Sequence, residues 1–323
     1  MTTSSVSVLV LFLTFDKEKK TKVRQVLSDF FQARPELSFT VIEIDNSNPD
    51  APWQSAPTGN WPCKAYYVGG DNHAQEFSGW DLGWREANMH LTINQDLVLV
   101  VNDALMNSKP LEALDAVDSA LIAQLPKQNT VLGWVDTFAR VNPDPLDTIK
   151  YPMKLNGLPC RKWLCTTFFF APMPAFAKVA PMTTVASFDQ LFKPSIDENP
   201  FLDAAPLSEN YKEFLLSHQR RVWKRGNKRG YTLDEQSFDL FRSKVRNIIN
   251  EHSLGVKFWR AGVRHVNLAI FDRRPRGLGL PTTITNKAFP ALRLMKWRFL
   301  SQWQLLRELV PPARHSKRSD QST

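Results

Sequence analysis

Cysteine is sparse in this chain: Cys63, Cys160 and Cys165 are the only 3 among 323 residues. An odd number, at spacings unlike any zinc or redox motif, excludes a disulfide scaffold and a thiolate metal site and predicts free thiols in a reducing compartment. Long apolar runs are missing as well, since none approaches the roughly 18 residues of a membrane-spanning helix. The early "VSVLVLFLTF" carries neither a basic leader nor a small-residue cleavage site, and reads as a buried strand of a cytoplasmic protein. Neither GxGxxG after the first strand nor GxxxxGK[ST] occurs, which sets aside dinucleotide-dependent dehydrogenases and P-loop enzymes. "RGLGLP" at 276–281 has two glycines but follows basic residues instead of opening a helix, and reads as a surface turn. No internal repeat is present.

What the chain does have is an ordinary apolar fraction, 43%, and a net charge of +9. Disorder of the whole is thereby excluded, and anionic partners come into view: nucleic acid, an anionic membrane face or a phosphorylated substrate. The charge is uneven. Basic residues crowd "HQRRVWKRGNKRG" at 218–230, "DRRPRG" at 272–277 and a tail from Arg293 to Arg318, whereas the first half is nearly balanced.

The apolar pattern alternates between two periods. "SVSVLVLFLTF" is a continuous run expected of a strand covered on both faces. Asp16 then caps a segment in which Val23, Val26, Leu27, Phe30 and Phe31 recur at helical spacing, and Pro35 stops it. "SFTVIEIDNSN" completes a βαβ unit, and "KAYYVGG" and "DLVLVVND" are further strands. Later apolar runs, "NTVLGWVDTFA", "WLCTTFFFAP" and "RHVNLAIFD", alternate with helical patterns at 111–124, 208–223 and 234–250. This order predicts an α/β fold: a mostly parallel mixed, Rossmann-like sheet flanked by helices, with ligands beyond the carboxyl ends of the strands. Asp45, Asp71 with Asn72, and Asp103 end three strands and should share that rim. The stretch "GGDNHAQEFSGWDLGWREA" at 69–87 reads as a strand end, a turn at the rim and a helix packed by Phe77 and Trp80.

Four segments resemble the GT-A glycosyltransferases of the large inverting family two type and its bacterial polysaccharide relatives. "TVIEIDNSN" resembles the second-strand motif whose Asp contacts the base of a sugar nucleotide, and "GGDNHAQEFSGWDLGW" resembles an Asn-containing "N…EFSGW" segment. "LVLVVNDAL" occupies the place of the DxD strand. "NEHSLGVKFWRAG" at 250–262 matches the spacing of ED-x-DL-xx-R-xxxx-G, with Glu251, Leu254, Lys257 and Gly262 in the places of Asp, Leu, Arg and Gly. The resemblance runs over roughly residues 5 to 272, and places a GT-A-like domain at 1–275, ahead of a basic helical extension and disordered tail at 276–323.

The resemblance implies an inverting glycosyltransferase, a hexosyl- or deoxyhexosyltransferase, that moves a sugar from a nucleotide-sugar donor to a saccharide or lipid-linked glycan acceptor in surface polysaccharide synthesis. Glu251 then takes the place of the general base, one methylene longer than Asp. Asp45, Asn46, Asn72, Asp103 and Asp16 face the donor nucleotide, with Gly69 and Gly70 letting backbone approach it. Asp45 has a strand-end cap as its alternative, Asp16 reads first as a helix cap, and Asp71 and Asn72 have a plain turn as theirs. Asp103 stands where DxD would hold Mg²⁺ or Mn²⁺, but Asn102-Asp103-Ala104 offers one carboxylate, so a metal-independent enzyme stands beside a metal-dependent one. His252 and Trp223 are placed for acceptor or phosphate contacts. Residues 291–310, with Leu292, Met295, Phe299, Trp303 and Leu306 on one helical face among basic residues, suit either an anionic membrane surface or docking on the catalytic domain. Two rival classes remain: a degenerate GT-A-like protein that binds a glycan or partner without turnover, and a basic nucleic-acid-binding protein. The second is disfavoured because no recognisable binding module is present and the charge is confined to one end.

Overall fold

The structure is a computed structural model that describes residues 5–57, 59–138, 153–220 and 234–271. The chain divides into two compact units, Met1–Asp272 and Arg273–Thr323, and the described residues belong to the first. Trp223, most of the 218–230 cluster and residues 276–323, for which a helical extension with a 291–310 helix was expected, lie outside the described residues.

The strands are β1 (Val6–Thr14), β2 (Leu37–Asp45), β3 (Gln54–Ser55), β4 (Lys64–Gly69), β5 (Leu97–Asn102), β6 (Thr130–Thr137), β7 (Met153–Leu155), β8 (Leu158–Cys160), β9 (Lys162–Pro172) and β10 (Arg264–Asn267). The helices are α1 (Lys17–Gln32), α2 (Glu76–His90), α3 (Lys109–Ala113), α4 (Ser119–Gln124), α5 (Met173–Val179), α6 (Glu209–Arg220) and α7 (Phe238–Arg260). Eight strands form one sheet in the order β10-β6-β9-β5-β1-β2-β4-β3, and β7 and β8 form a separate hairpin. Strands β4, β2, β1 and β5 run parallel. β9 is antiparallel to β5 and β6, β10 returns parallel to β6, and β3 is antiparallel to β4. The expected α/β class with a mostly parallel mixed sheet flanked by helices is therefore present.

Burial on both faces explains the unbroken apolar strands. Leu9, Leu11 and Leu13 of β1 join Phe77 and Trp80 of α2 and Leu254 and Phe258 of α7 in one core. On the other face Phe12 meets Trp61 edge-on, with ring centroids 5.7 Å apart, and Phe31 of α1 stacks on Phe39 at 4.1 Å. A second core joins α6, the opposite flank of α7, the β7–β8 hairpin and the loop carrying Phe192 and Phe201.

Two helical expectations change. The 111–124 pattern is broken into α3, a 3-10 turn at Leu114–Ala116, and α4; Asp118 starts the new helix by accepting the Leu121 N–H. The helix expected to end at 250 continues to Arg260, because Leu254 and Phe258 extend its buried stripe. It ends in a Schellman motif, with Gly262 at φ 72° and Val263 N–H bonded to Phe258 O at 3.0 Å. Cys63, Cys160 and Cys165 form no disulfide among the described residues. Among the described residues no helix is long and apolar enough to cross a membrane.

Candidate functional site

Chain order reverses between β1 and β5: after β1 the strands add outward through β2 and β4, and the chain then crosses back to place β5 on the other side of β1. In such sheets the crevice beyond the strand ends at the reversal is the ligand site. Its contents are acidic, and most are already committed. Asp103, just past β5, accepts the main-chain N–H groups of Phe15 and Asp16, both at 2.7 Å on Oδ2. Asp16 is the N-cap of α1: its Oδ1 accepts from Glu18 and Lys19 N–H at 3.0 and 3.1 Å, and the Lys19 N–H and ammonium hold its pKa below the ordinary value. Two carboxylates thus fill the anion niche at the start of this helix.

Asp45 is equally occupied. Oδ1 accepts the Ser47 N–H and hydroxyl at 3.0 and 2.6 Å, and Oδ2 accepts the Tyr67 hydroxyl at 3.0 Å and Lys20 Nζ at 3.1 Å. Burial pushes its pKa up, but the Ser47 and Lys20 bonds outweigh that and hold it down. Lys20 also reaches Glu43 at 2.7 Å, and Arg24 binds the same carboxylate at 2.9 Å, so Asp45 belongs to a buried charge network between α1 and β2.

The turn from Gly70 to Gln75 is the most constrained part of the rim. Asn72 and Gln75 both have positive φ, 49° and 54°, a conformation that costs non-glycine residues energy and is kept where surroundings enforce it. Three side chains enforce it here. Arg246 of α7 donates to His73 O at 2.5 Å, Asn46 donates to Gln75 O at 3.1 Å and to Asn72 Oδ1 at 3.3 Å, and Gln75 Nε2 donates to Ser243 Oγ at 2.8 Å. The expectation that Gly69 and Gly70 leave room for a nucleotide is corrected. A Cβ on Gly69 would lie 2.3 Å from Asn48 O, and one on Gly70 2.0 Å from Asn46 Oδ1, so both glycines admit the protein's own chain.

Glu251 stands apart. Ser243, Asn247, Glu251 and Gly255 fall at four-residue steps along one face of α7, a row that runs from the strained turn to β9. β9 bulges where it passes β6: Gly133 pairs with Phe169 but Val135 with Leu164. Within the bulge Thr166 N–H is taken by Glu251 Oε1 at 3.1 Å. Gly255 makes this contact reachable, since a Cβ there would lie 3.2 Å from Trp163 Cα and hold the helix off the strand. Burial raises the Glu251 pKa to about 7; the Thr166 N–H and Lys244 oppose the rise, and the Glu76 and Asp136 carboxylates add to it. One turn earlier, Asn247 Oδ1 is buried with no hydrogen-bond partner among the described residues, an acceptor that calls for a donor from elsewhere.

The other expected residues are placed differently. His252 does not face the rim: it is 2% exposed, its Nδ1 is hydrogen-bonded to the Tyr211 hydroxyl, and its ring packs against Trp163 at 4.2 Å. Successive helix residues point about 100° apart, which sends His252 into the second core while Glu251 faces β9, so the expected phosphate or acceptor contact is corrected to a core role. Leu254 is fully buried, and Lys257 donates to Pro181 O at 2.7 Å. As to metal, Asp103 has one carboxylate oxygen uncommitted to the main chain, and no group of three or more His, Cys, Asp or Glu side chains among the described residues is arranged to hold an ion. A single free carboxylate oxygen fits only a cation carried mainly by a bound diphosphate. Residues that sequence reasoning passed over are Thr166, Asn247, Arg246 and Gln75, together with Phe15, 58% exposed where β1 meets the crevice. An exposed Phe after an apolar strand was the one available signal.

The chain matches no protein-family model. It matches no curated protein either.

Proposed function

We propose that the crevice is the donor site of a GT-A-like inverting glycosyltransferase, with Glu251 as general base. The observation that carries the reading is a half-buried carboxyl with its pKa near 7, anchored on a strand bulge at the carboxyl end of the sheet. Perturbed carboxyls in clefts mark acid–base sites, and a base acts best when its pKa lies near working pH. In this mechanism an acceptor hydroxyl passes its proton to Glu251 Oε2 as its oxygen attacks the anomeric carbon of a nucleotide sugar. The bond from that carbon to the diphosphate breaks on the opposite face, and the diphosphate departs with the bonding pair. Thr166 N–H fixes the other carboxyl oxygen, Asn247 Oδ1 is one turn away to accept from a sugar hydroxyl, and Lys244 supplies positive charge beside the carboxylate. Phe15 offers an aromatic face to a base. No step is routed through a metal. The acceptor, in this reading, is a saccharide or lipid-linked glycan of a surface polysaccharide.

A second reading is favoured by one specific observation: of the acids expected to bind the nucleotide, Asp16 and Asp45 are held by donors of the chain itself, and Asp103 has one oxygen committed to the Phe15 and Asp16 N–H groups. That suits a fold of this type that binds a glycan without turnover. A thermal-shift screen with UDP, GDP, dTDP, CMP and their sugars, with and without Mn²⁺, separates the two. A ligand at 100 times its Kd adds about 2.7 kcal/mol of stability. A shift with one nucleotide, followed by sugar transfer that is lost in Glu251→Gln, supports the enzyme; no shift with any nucleotide sinks the donor site. Salt-sensitive retention on DNA or RNA would instead favour the nucleic-acid reading, which draws only on the basic segments outside the described residues.

A further inference from the structure

We propose that the cleft on the outer side of α2 is a separate binding site for a neutral oligosaccharide. It is an open groove of about 680 Å³ between α2, the turn before it and the stretch from Ala177 to Ala186, within the roughly 300–1,000 Å³ usual for ligand pockets.

Its walls are fixed before any ligand arrives. The Asp81 carboxylate accepts the N–H groups of Met182 and Thr183 at 2.5 and 2.9 Å. Lys257 Nζ donates to Pro181 O at 2.7 Å, and Arg246 bridges His73 O and Ala186 O at 2.5 and 3.0 Å. Three charged side chains from α2 and α7 are thus committed to the main chain of the cleft wall, and a preformed wall lowers the ordering cost of binding.

The lining sets the chemistry. Trp84 and the 61% exposed Met89 offer apolar contact, while Ser78, Asn88, Asp71 and Arg85 surround them with polar groups. Trp84 is held edge-on against Phe176 with centroids 5.2 Å apart, which fixes its indole. Thr183 lines the same wall, and its Oγ1 is buried beneath it without a partner among the described residues. With Asp81 committed, Asp71 and Arg85 leave no charge excess to hold a polyanion. They also interrupt the apolar patch that a fatty acyl chain needs. A sugar ring has C–H faces for the indole and hydroxyls around its edge, and matches both halves of the lining. The turn ahead of α2 supplies a wall to this cleft through Asp71, His73 and Ala74 and leads directly into Gln75 and Glu76 of the rim. Neither feature depends on Glu251 being a catalytic base.

Saturation-transfer NMR on the full chain tests the site with maltohexaose, isomaltohexaose, cellohexaose and hexa-N-acetylchitohexaose, beside a heparin hexasaccharide and palmitate. At least one neutral hexasaccharide should receive saturation and bind roughly tenfold or more weakly to Ala177→Trp, which fills the cleft from an exposed position. Met89→Ala, also exposed, should weaken it several-fold and serves if the Trp variant misfolds. Binding should be unchanged in Glu251→Gln, so that failure of the donor-site reading and failure of this one are told apart. The proposal is overturned if no neutral hexasaccharide binds, if binding survives both cleft variants, or if only heparin or palmitate is displaced by them.

Discussion

Replacing Glu251 with Gln should leave stability in acid unchanged and raise it in alkali. The Glu251 carboxyl has an ordinary pKa of 4.5 in the unfolded chain and about 7 in the folded protein. A group whose pKa is raised on folding supports the fold fully below its unfolded value, and that support is lost as pH rises through the folded value. Between pH 4.5 and 7 the native protein therefore binds a proton that the unfolded chain has released, and by pH 8 it must carry a buried negative charge instead. The difference corresponds to at most about 3 kcal/mol, trimmed toward about 2 by the partial exposure of the side chain. Gln keeps an oxygen for the Thr166 N–H and has no charge to bury. Urea unfolding of both proteins from pH 4 to 8.5 isolates the effect, because every other titrating group cancels in the difference. The two curves should coincide at pH 4 and separate by about 2 kcal/mol at pH 8, with Gln the more stable. A difference that stays flat with pH would refute the argument, since it would mean that Glu251 titrates as an ordinary surface carboxyl. In the enzyme reading the stabilised variant is also the inactive one, and the pH dependence of transfer by the natural protein rises through the same value.

Asp103→Ala should destabilise by about 1–2 kcal/mol in chemical denaturation by stripping the Phe15 and Asp16 N–H groups of their acceptor. If Asp103 serves only this purpose, the variant's response to Mn²⁺ in a thermal melt will match that of the natural protein; a Mn²⁺ stabilisation lost on substitution would restore it as a metal ligand. Gly70→Ala should cost about 1–3 kcal/mol, because its Cβ would meet Asn46 Oδ1 at 2.0 Å and drive the amide off Gln75 O. A variant as stable as the natural protein would show that the turn has slack.

The frame of the sheet was legible because its signals are local. β1 and β5 are nearly continuous apolar runs, β2 has apolar residues at alternating positions and then Val41 and Ile42, and α1 has both a cap in Asp16 and a helical stripe. The reversal of β9 was not legible: "WLCTTFFFAP" is apolar read either way, and its direction shows only in its pairing with β5 and β6. The site was half legible. Position 251 was singled out by spacing, yet its environment comes from a bulge in β9, a residue at 166 and a helix three turns longer on its C-terminal side than its polar pattern suggested. His252 was misplaced because Phe138, Trp163 and Tyr211, which bury it, are scattered through the sequence. The acids of the rim were read as open for the same reason: the donors that occupy Asp45 and Asp103 come from Lys20, Tyr67 and the start of α1, and a linear reading shows a carboxylate without its partners.

Those partners turn the donor-site reading into a sharp test at Tyr67. If Asp45 binds the ribose or base of a nucleotide, the ligand must displace a donor now in place, and the Tyr67 hydroxyl is the cheapest to release. Lys20 is shared with the buried Glu43, and the Ser47 bonds are built into the turn after β2. Tyr67→Phe removes that competitor. It should cost the fold about 1.5 kcal/mol, the lower end of the net worth of a hydrogen bond to a charged group. The same energy should reappear as tighter nucleotide binding, a gain of roughly tenfold. If Asp45 is only a strut between α1, β2 and β4, the stability loss remains but nucleotide affinity does not move. Isothermal titration of the responsive nucleotide against both proteins distinguishes the outcomes. An unchanged affinity beside a lowered melting temperature would remove Asp45 from the site and leave the α7 row of Asn247 and Glu251 to hold whatever the crevice binds.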